Sequence, residues 1–567
     1  MVKSKTKKKS QASSTSSSKN GRMRYFVIAL IAITWMTFSN VGKNQFVGWD
    51  DLVYVTQNKS IELTSDNVIH SFFKGEPHGM YVPLTALSLS INHFFSGFNP
   101  APYLYTNLLL HIFMVIASFI FLKMLFKDDW LAFFATLLFA IHPAQAEVVA
   151  YVSGRRDVLY ALFFMMSLVF YLRYLQSNYS KKQLIYSLLF FTLSLLAKSQ
   201  ALLMPFVLLA IDQVHERKIF SKEVLKEKIG FILLAVLFGI ISIVVKQQSE
   251  GFAISREVLE VPFYERIAYA FYGFILYVIN VFIPVNLSLI HPYPNNGVPF
   301  IAWFSIIPVT LFVFWMGYKF MKKPNLALFG ILFFILMIAL MLQLFPNSYG
   351  VMNDHYLYVP LIGLAVFIVS MFYKVKNKTI PILVFSTYLI VFIFVTRQRV
   401  EVFQSGISVF TDVLKSYPDS YVGLNNRGSI YYEQGKFQQA FNDFSESIQV
   451  NSNNPYAYNN RAVLFLASGK IDEAMEDLNT AIAQRSDYAD AYSNRGSAKG
   501  MRMDIKAIDD HNKAVSLAPN EGKYYYNRGA YYLQFGDKNK GCFDVQKALQ
   551  LGVQKTNPMI DQICREN

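Results

Sequence analysis

Two adjacent carboxylates, Asp50 and Asp51, follow the first apolar segment in the run Gly48-Trp49-Asp50-Asp51-Leu52-Val53-Tyr54. Acidic side chains at a membrane exit are costly to hold near lipid, and therefore point to function. The location suits a reaction centre at the bilayer surface that uses a carboxylate as base. Later segments carry complementary groups: His142 and Glu147, then Arg155, Arg156 and Asp157, then Lys198, then His291, and finally Asp354, His355 and Tyr356. A lone cation at the end of a span is usually a snorkelling anchor. Acids, cations and imidazoles from so many distant segments on one face would instead form a site. Neighbouring side chains of an extended segment point opposite ways, so Asp50 and Asp51 are not expected to share a metal ion.

Whether these groups meet depends on the elements that carry them. The chain of 567 residues is 53% hydrophobic and 16% aromatic, and the apolar content concentrates in residues 23–398. Twelve apolar segments of spanning or near-spanning length are legible there, at about 23–40, 103–126, 130–143, 157–175, 183–197, 200–213, 229–246, 267–286, 300–318, 324–345, 356–373 and 379–396. Lys123 and Lys127, Arg173 to Lys182, Arg217 to Lys228, Lys319 to Lys323, and Lys374 to Lys378 mark the cytoplasmic loops. All of them fall inside only if one segment fails to cross. The stretch 267–286, which ends in Pro284 and Asn286, is the predicted re-entrant or surface segment. About eleven spans then remain, and the loops bearing the candidate residues all face outward.

Residues 1–22 are Lys- and Ser-rich and read as a disordered cytoplasmic tail. No small-residue cleavage site follows, so the first span is expected to be retained. The formal charge of +15 sits largely in that tail and in short loops, which orientation in a membrane explains without nucleic acid. The two cysteines, Cys542 and Cys564, offer no metal spacing and read as incidental core residues.

A repeat occupies residues 399–567. Asn426-Arg427, Asn460-Arg461, Asn494-Arg495 and Asn527-Arg528 recur at steps of 34, 34 and 33, with Asp443, Asp477, Asp510 and Asp544 in phase. A 34-residue helix–turn–helix unit is the tetratricopeptide pattern, and its units stack into a solenoid. Each Arg is expected to pair with the Asp of its own unit. The third unit is one residue short near Met501–Asp504, so its turn should be irregular. The Asn ladder can donate to and accept from a peptide backbone, or be satisfied locally. Asn426, Asn460, Asn494 and Asn527 are therefore the candidate contacts to an extended polypeptide.

Taken in order, Gly48-Trp49-Asp50-Asp51 with Tyr54, Pro83-Leu84-Thr85, Asn107 and His111, His142-Pro143 with Glu147, Gly154-Arg155-Arg156-Asp157, Lys198-Ser199, and Asp354-His355-Tyr356 form a recognisable series. It resembles the transmembrane-and-tetratricopeptide-repeat proteins, multi-span glycosyltransferases of GT-C architecture whose eukaryotic members are protein O-mannosyltransferases. The resemblance implies an all-α fold, with a GT-C-like membrane domain over 23–398 and a repeat solenoid after it. It implies no cofactor, a polyprenyl-phosphate sugar donor in the bilayer and an extracytoplasmic protein acceptor. Asp50 is then the expected base, with Asp51 orienting it or substituting for it. Arg155 leads the expected phosphate ligands, followed by Arg156, Lys198 and His355. Glu147 and Asp157, with His142, Asp354 and Tyr356, would orient those cations or bind sugar hydroxyls. His355 stands where the family usually has Arg, which removes a permanent cation, and Tyr105 stands where many relatives have His. A single displacement implies inversion at the anomeric carbon.

Two rival readings share these features. One is a non-catalytic membrane adaptor whose repeats recruit envelope proteins. The other is a transferase acting on a glycan or lipid. The Lys-rich tail, the low Cys count and the retained first span fit a bacterial inner membrane, with the amino terminus cytoplasmic and the repeats periplasmic; an endoplasmic-reticulum membrane is the alternative.

Overall fold

The computed structural model describes residues 23–58, 60–73, 79–248, 261–294, 297–344, 350–373, 375, 379–553 and 557–565. The basic tail 1–22 lies outside the described residues. The chain divides into two compact units, Met1–Val409 and Phe410–Asn567.

The first unit is a helical bundle. Among the described residues seven helices are long and apolar enough to cross a membrane: Met23–Lys43, Pro100–Phe126, Val152–Gln176, Lys222–Gln247, Phe263–Phe282, Phe300–Lys322 and Ile382–Val402. Four shorter apolar helices accompany them, at Asp129–Ala140, Ser199–Val214, Leu326–Ala339 and Pro360–Phe372. Pro100–Phe126 and Val152–Gln176 are the most deeply buried of the long helices. Helices pack in lipid through close backbone approach at small residues. Gly330 and Gly363 show this: a Cβ on either would lie 2.4 Å from the other's carbonyl oxygen. That contact locks Leu326–Ala339 against Pro360–Tyr373, the helix that follows the Asp354–Tyr356 loop.

Helix Phe263–Phe282 covers most of the stretch predicted not to cross. It is a continuous helix of spanning length, but one face runs along residues the loop charges place outward. Tyr269 packs edge-on to Tyr293 at 4.9 Å. Tyr277 Oη accepts from the Asn353 amide at 3.1 Å, and Asn280 donates to Asp354 at 3.3 Å. Beside it His291–Pro292 pairs antiparallel with Gly350–Met352. Gly350 is required there, because a Cβ would lie 2.2 Å from the His291 carbonyl oxygen.

The second unit is the solenoid the period predicts. Its helix pairs are Tyr421–Glu433 with Phe437–Val450, Pro455–Ala467 with Ile471–Gln484, Ala489–Met501 with Ala507–Leu517, and Gly522–Gln534 with Lys538–Gln550. Ala440, Ala474 and Ala507 are fully buried, as close helix contact demands. Three units turn on glycines in the left-handed region, Gly435, Gly469 and Gly536 at φ 72°, 72° and 85°. In the short third unit Met503 takes that place at φ 58°, the irregular turn the missing residue predicts.

One expectation is overturned. Cys542 and Cys564 are not incidental core residues; they form a disulfide. Helix Pro558–Arg565 folds back beside Lys538–Gln550 and brings the two Cα atoms to 5.2 Å. A separation of 22 residues across two helices gives no sign of that in the sequence.

Candidate functional site

The two leading carboxylates have different surroundings. Gly48 and Trp49 both adopt left-handed backbone, at φ 87° and 53°, a conformation rarely taken by a bulky residue. The turn is tied down by Asp51. Its Oδ2 accepts from the Val47 amide at 3.0 Å, and its Oδ1 accepts from the Ser153 amide at 2.9 Å and hydroxyl at 2.6 Å. Asp51 is completely buried. Asp50 is not: its side chain keeps 24% exposure, and its Oδ2 accepts from Arg156 Nη2. Tyr151 Oη accepts from the Asp50 amide at 3.0 Å and so fixes the backbone that carries it. The turn thus buries one acid as an anchor and presents the other.

Burial pushes the Asp51 carboxyl up to about 7, against the pull of the Ser153 and Val47 donors. The folded form therefore binds this proton at pH values where the unfolded chain, at an ordinary 3.8, has lost it. Its stabilising contribution is present below the unfolded value and is lost as pH rises through 7. Between these limits the unfolding free energy should decline by about 1.4 kcal/mol per pH unit from this group. Thermal melts of wild type and Asp51→Asn across that range should differ in slope; parallel curves would contradict it.

The two arginines also separate. Arg155 is fully buried and wholly engaged by neutral groups. Its Nε donates to Asn107 Oδ1 and its Nη1 to Ser88 Oγ (2.7 Å) and Asn92 Oδ1 (2.8 Å), while its Nη2 donates to the Tyr103 carbonyl at 2.8 Å. It braces the helix it begins against Pro83–Ser96 and Pro100–Phe126. Arg156 points to the acids instead. Its Nη1 donates to Tyr54 Oη at 3.0 Å, and its guanidinium lies 5.0 Å from the Tyr54 ring centroid. Its Nε is buried with no partner among the described residues.

Two further pairs complete the cluster. Lys198 Nζ meets Asp157 Oδ1 at 2.6 Å and lies 5.3 Å from the Tyr356 ring centroid. Lys198 is positioned by the end of helix Lys181–Ala197, whose last carbonyl accepts from Thr85 Oγ1 at 3.0 Å. His355 Nδ1 meets Glu147 Oε1 at 2.6 Å, while Glu147 Oε2 is buried without a partner among the described residues. These pairs share one electrostatic neighbourhood. Lys198 feels Asp157, Arg156 and Glu147, and Tyr356 feels Arg156, Asp157 and Asp50. A buried donor or acceptor left unbonded costs about 1–3 kcal/mol. Arg156 Nε and Glu147 Oε2 are such atoms, and both belong to this cluster.

Other motif residues serve as framework. His142 accepts from the Ala144 amide at Nδ1 (3.1 Å) and donates from Nε2 to the Val281 carbonyl (3.0 Å), which occupies both ring nitrogens. Asp354 accepts from the Ser288 amide at 2.7 Å and pairs with His291 at 3.0 Å. Asn107 bridges Arg155 and the Tyr151 carbonyl, and His111 lies between Tyr358 Oη and the Ala140 carbonyl. Sequence reasoning did not single out Tyr151 and Ser153 or assign a role to Tyr54. A hydroxyl among many in an aromatic-rich chain carries no spacing signal.

In the solenoid each Arg does pair with the Asp of its own unit. Arg427–Asp443, Arg461–Asp477, Arg495–Asp510 and Arg528–Asp544 are all two-pronged, through Nε and Nη2, at 2.7–3.0 Å. The Asn ladder is partly spent on stacking. Asn460 donates to Asn425 Oδ1 (3.1 Å), Asn494 to Asn459 Oδ1 (2.9 Å) and Asn527 to Ser493 Oγ (2.9 Å), each in the preceding unit. Asn426 donates within its own helix to the Val422 carbonyl. The acceptors Asn425, Asn459 and Ser493 each stand just before a ladder Asn at 34-residue steps, which was the signal for this.

A helical membrane domain joined to a tetratricopeptide solenoid defines a membrane-anchored repeat protein. The tetratricopeptide-repeat family model matches residues 428–469 and 464–501. The chain is similar to protein O-mannosyl-transferase TMTC2 of Homo sapiens, at 41% identity over 97 residues, which is 17% of this chain and 12% of that protein. It is similar to TMTC3 of Homo sapiens at 33% over 135 residues (22% and 14%) and to TMTC4 of Mus musculus at 32% over 163 residues (24% and 22%). The matches thus span under a quarter of these relatives' lengths, and over them the chain is TMTC-like. Among solved structures, that of MamA is similar at 25% identity over 26% of this chain and 86% of that one, with a TM-score of 0.23.

Proposed function

We propose that the protein is a membrane glycosyltransferase that moves a monosaccharide from a polyprenyl-phosphate donor to Ser or Thr hydroxyls of extracytoplasmic proteins. The observation that carries this reading is the pair of unfilled buried atoms in one charged cluster. Among the described residues Arg156 Nε is a cationic donor lacking an acceptor, and Glu147 Oε2 is an acceptor lacking a donor. A ligand with an anionic oxygen and a nearby hydroxyl, such as a glycosyl phosphate, satisfies both.

Asp50 takes the proton of the acceptor hydroxyl as that oxygen attacks the anomeric carbon. The bond from that carbon to the phosphate oxygen breaks, and its electron pair leaves with the lipid phosphate. Arg156, Lys198 and His355 stabilise the charge that develops there. One displacement inverts the anomeric centre. Asp51 acts as the anchor that holds Asp50 in place, and Arg155 as the brace behind Arg156. Glu147 orients a sugar hydroxyl, and Asp157 and Tyr356 hold Lys198.

The repeats bind the acceptor polypeptide outside the cytoplasm, in a bacterial inner membrane with the amino-terminal tail inside. The loop charges support that orientation, as does the disulfide, since such bonds persist in oxidising compartments. Mass spectrometry of envelope glycoproteins from a strain lacking the protein tests the transfer. Sugar lost from Ser and Thr sites supports it, whereas unchanged proteins with an altered glycan or lipid would favour the other acceptor.

Replacing all four ladder Asn residues by Ala should abolish binding of an extended peptide. It should also lower the solenoid's melting temperature, at about 1 kcal/mol per lost bond between units. Asn426→Ala removes no bond between units, so it separates the two effects. Peptide affinity unchanged in both variants would sink the peptide-clamp role.

A further inference from the structure

Arg156 can be compared with four other Arg–Asp pairs of the same chain. In the solenoid every such pair uses both Nε and Nη2, the edge on which a guanidinium grips a two-oxygen anion. Arg156 presents the same edge to Asp50 but uses only Nη2, leaving Nε buried and unbonded among the described residues. Its other arm is fixed by Tyr54 Oη and Met80 Sδ, so the half-filled edge keeps its direction. Asp50 is the more exposed partner, at 24% against 9% for Arg156. Its backbone is pinned by Tyr151, which leaves the carboxylate free to move only about its own side-chain bonds.

We propose that the Asp50–Arg156 ion pair is a latch, opened when a phosphate group takes both Nε and Nη2 of Arg156 and releases the Asp50 carboxylate. This rests on the transferase reading and adds an order to it: the donor seats first, and only then is the Asp50 oxygen available to the acceptor hydroxyl. Until then Asp50 is held against Arg156. The pair Lys198–Asp157 keeps the neighbouring ammonium matched, and His355 is held by Glu147. A seated phosphate therefore exchanges one anion for another at Arg156 and leaves the released acid beside the substrate.

The latch can be read without any transfer assay. Purified full-length protein in lipid nanodiscs is treated with a water-soluble carbodiimide and glycine ethyl ester, and coupling at Asp50 is quantified by peptide mass spectrometry. A short-chain polyprenyl phosphate should raise Asp50 coupling several-fold in wild type and leave Arg156→Gln unchanged at a high level. Inorganic phosphate is the second probe. A rise with it as well assigns the trigger to the phosphate group, and a rise with the lipid phosphate alone shows that the chain must seat it. Coupling unmoved by both probes, or an equal rise in Arg156→Gln, would overturn the latch. Absence of sugar transfer alongside an intact response would remove only the transferase reading.

Discussion

Asp50→Asn should lower sugar transfer by about 10²–10⁴-fold, the range expected when a general base is removed. Binding of the polyprenyl phosphate should persist. The amide matches the carboxylate in size, and Asp50 buries none of the apolar core, so the fold is not at stake. The turn that carries it is held by Asp51, Ser153 and Tyr151 rather than by the Asp50 side chain. Arg156 would face a neutral amide instead of a carboxylate, which makes its anion edge easier to occupy. Initial rates with a labelled donor and a Ser/Thr peptide, beside donor binding by native mass spectrometry, separate the two quantities. Full activity in the variant would refute the assignment of the base. Asp51→Asn should act differently, because its amide would point an N–H at one of three donors and loosen the turn.

Arg155→Met should destabilise the membrane domain, because each buried polar group left without its partner costs about 1–3 kcal/mol. The loss strands Asn107 Oδ1, Ser88 Oγ, Asn92 Oδ1 and the Tyr103 carbonyl without their donor, at a site with no water access from the side chain it replaces. Three helices lose a common tie, so the effect should show in thermal melts in detergent. Donor affinity measured on the surviving folded fraction should be unchanged. A normal melting temperature with weakened phosphate binding would return Arg155 to the donor site, where the motif alone would place it. The contrast with Arg156 is instructive because the two are neighbours in sequence. On a helix they point about 100° apart, which sends one into the bundle and the other to the acids.

The amino-acid sequence by itself determined the division into an apolar helical domain and a 34-residue repeat, because both rest on local periodicity and composition. The Arg–Asp pairs of the solenoid were legible for the same reason: a constant step fixes the geometry between two helices. The irregular third turn followed from one missing residue, and Met503 in a glycine's place bears it out. The candidate acids and cations were legible as a set, since charge in an apolar chain stands out. Their division of labour was not. Asp50 and Asp51 are chemically alike, and only the left-handed turn at Gly48-Trp49 with Ser153 behind it decides which one is buried.

The same holds for the solenoid's Asn ladder and for the cysteines. Whether an amide bonds its own helix, the preceding unit or a peptide depends on stacking distances that a sequence does not contain. Cys542 and Cys564 pair because the last helix folds back, a long-range event with no local signature. Periodicity and composition are properties of neighbours along the chain. Burial, pairing and an unfilled hydrogen bond such as that of Arg156 Nε arise between segments distant in sequence, and so only the tertiary structure decides them.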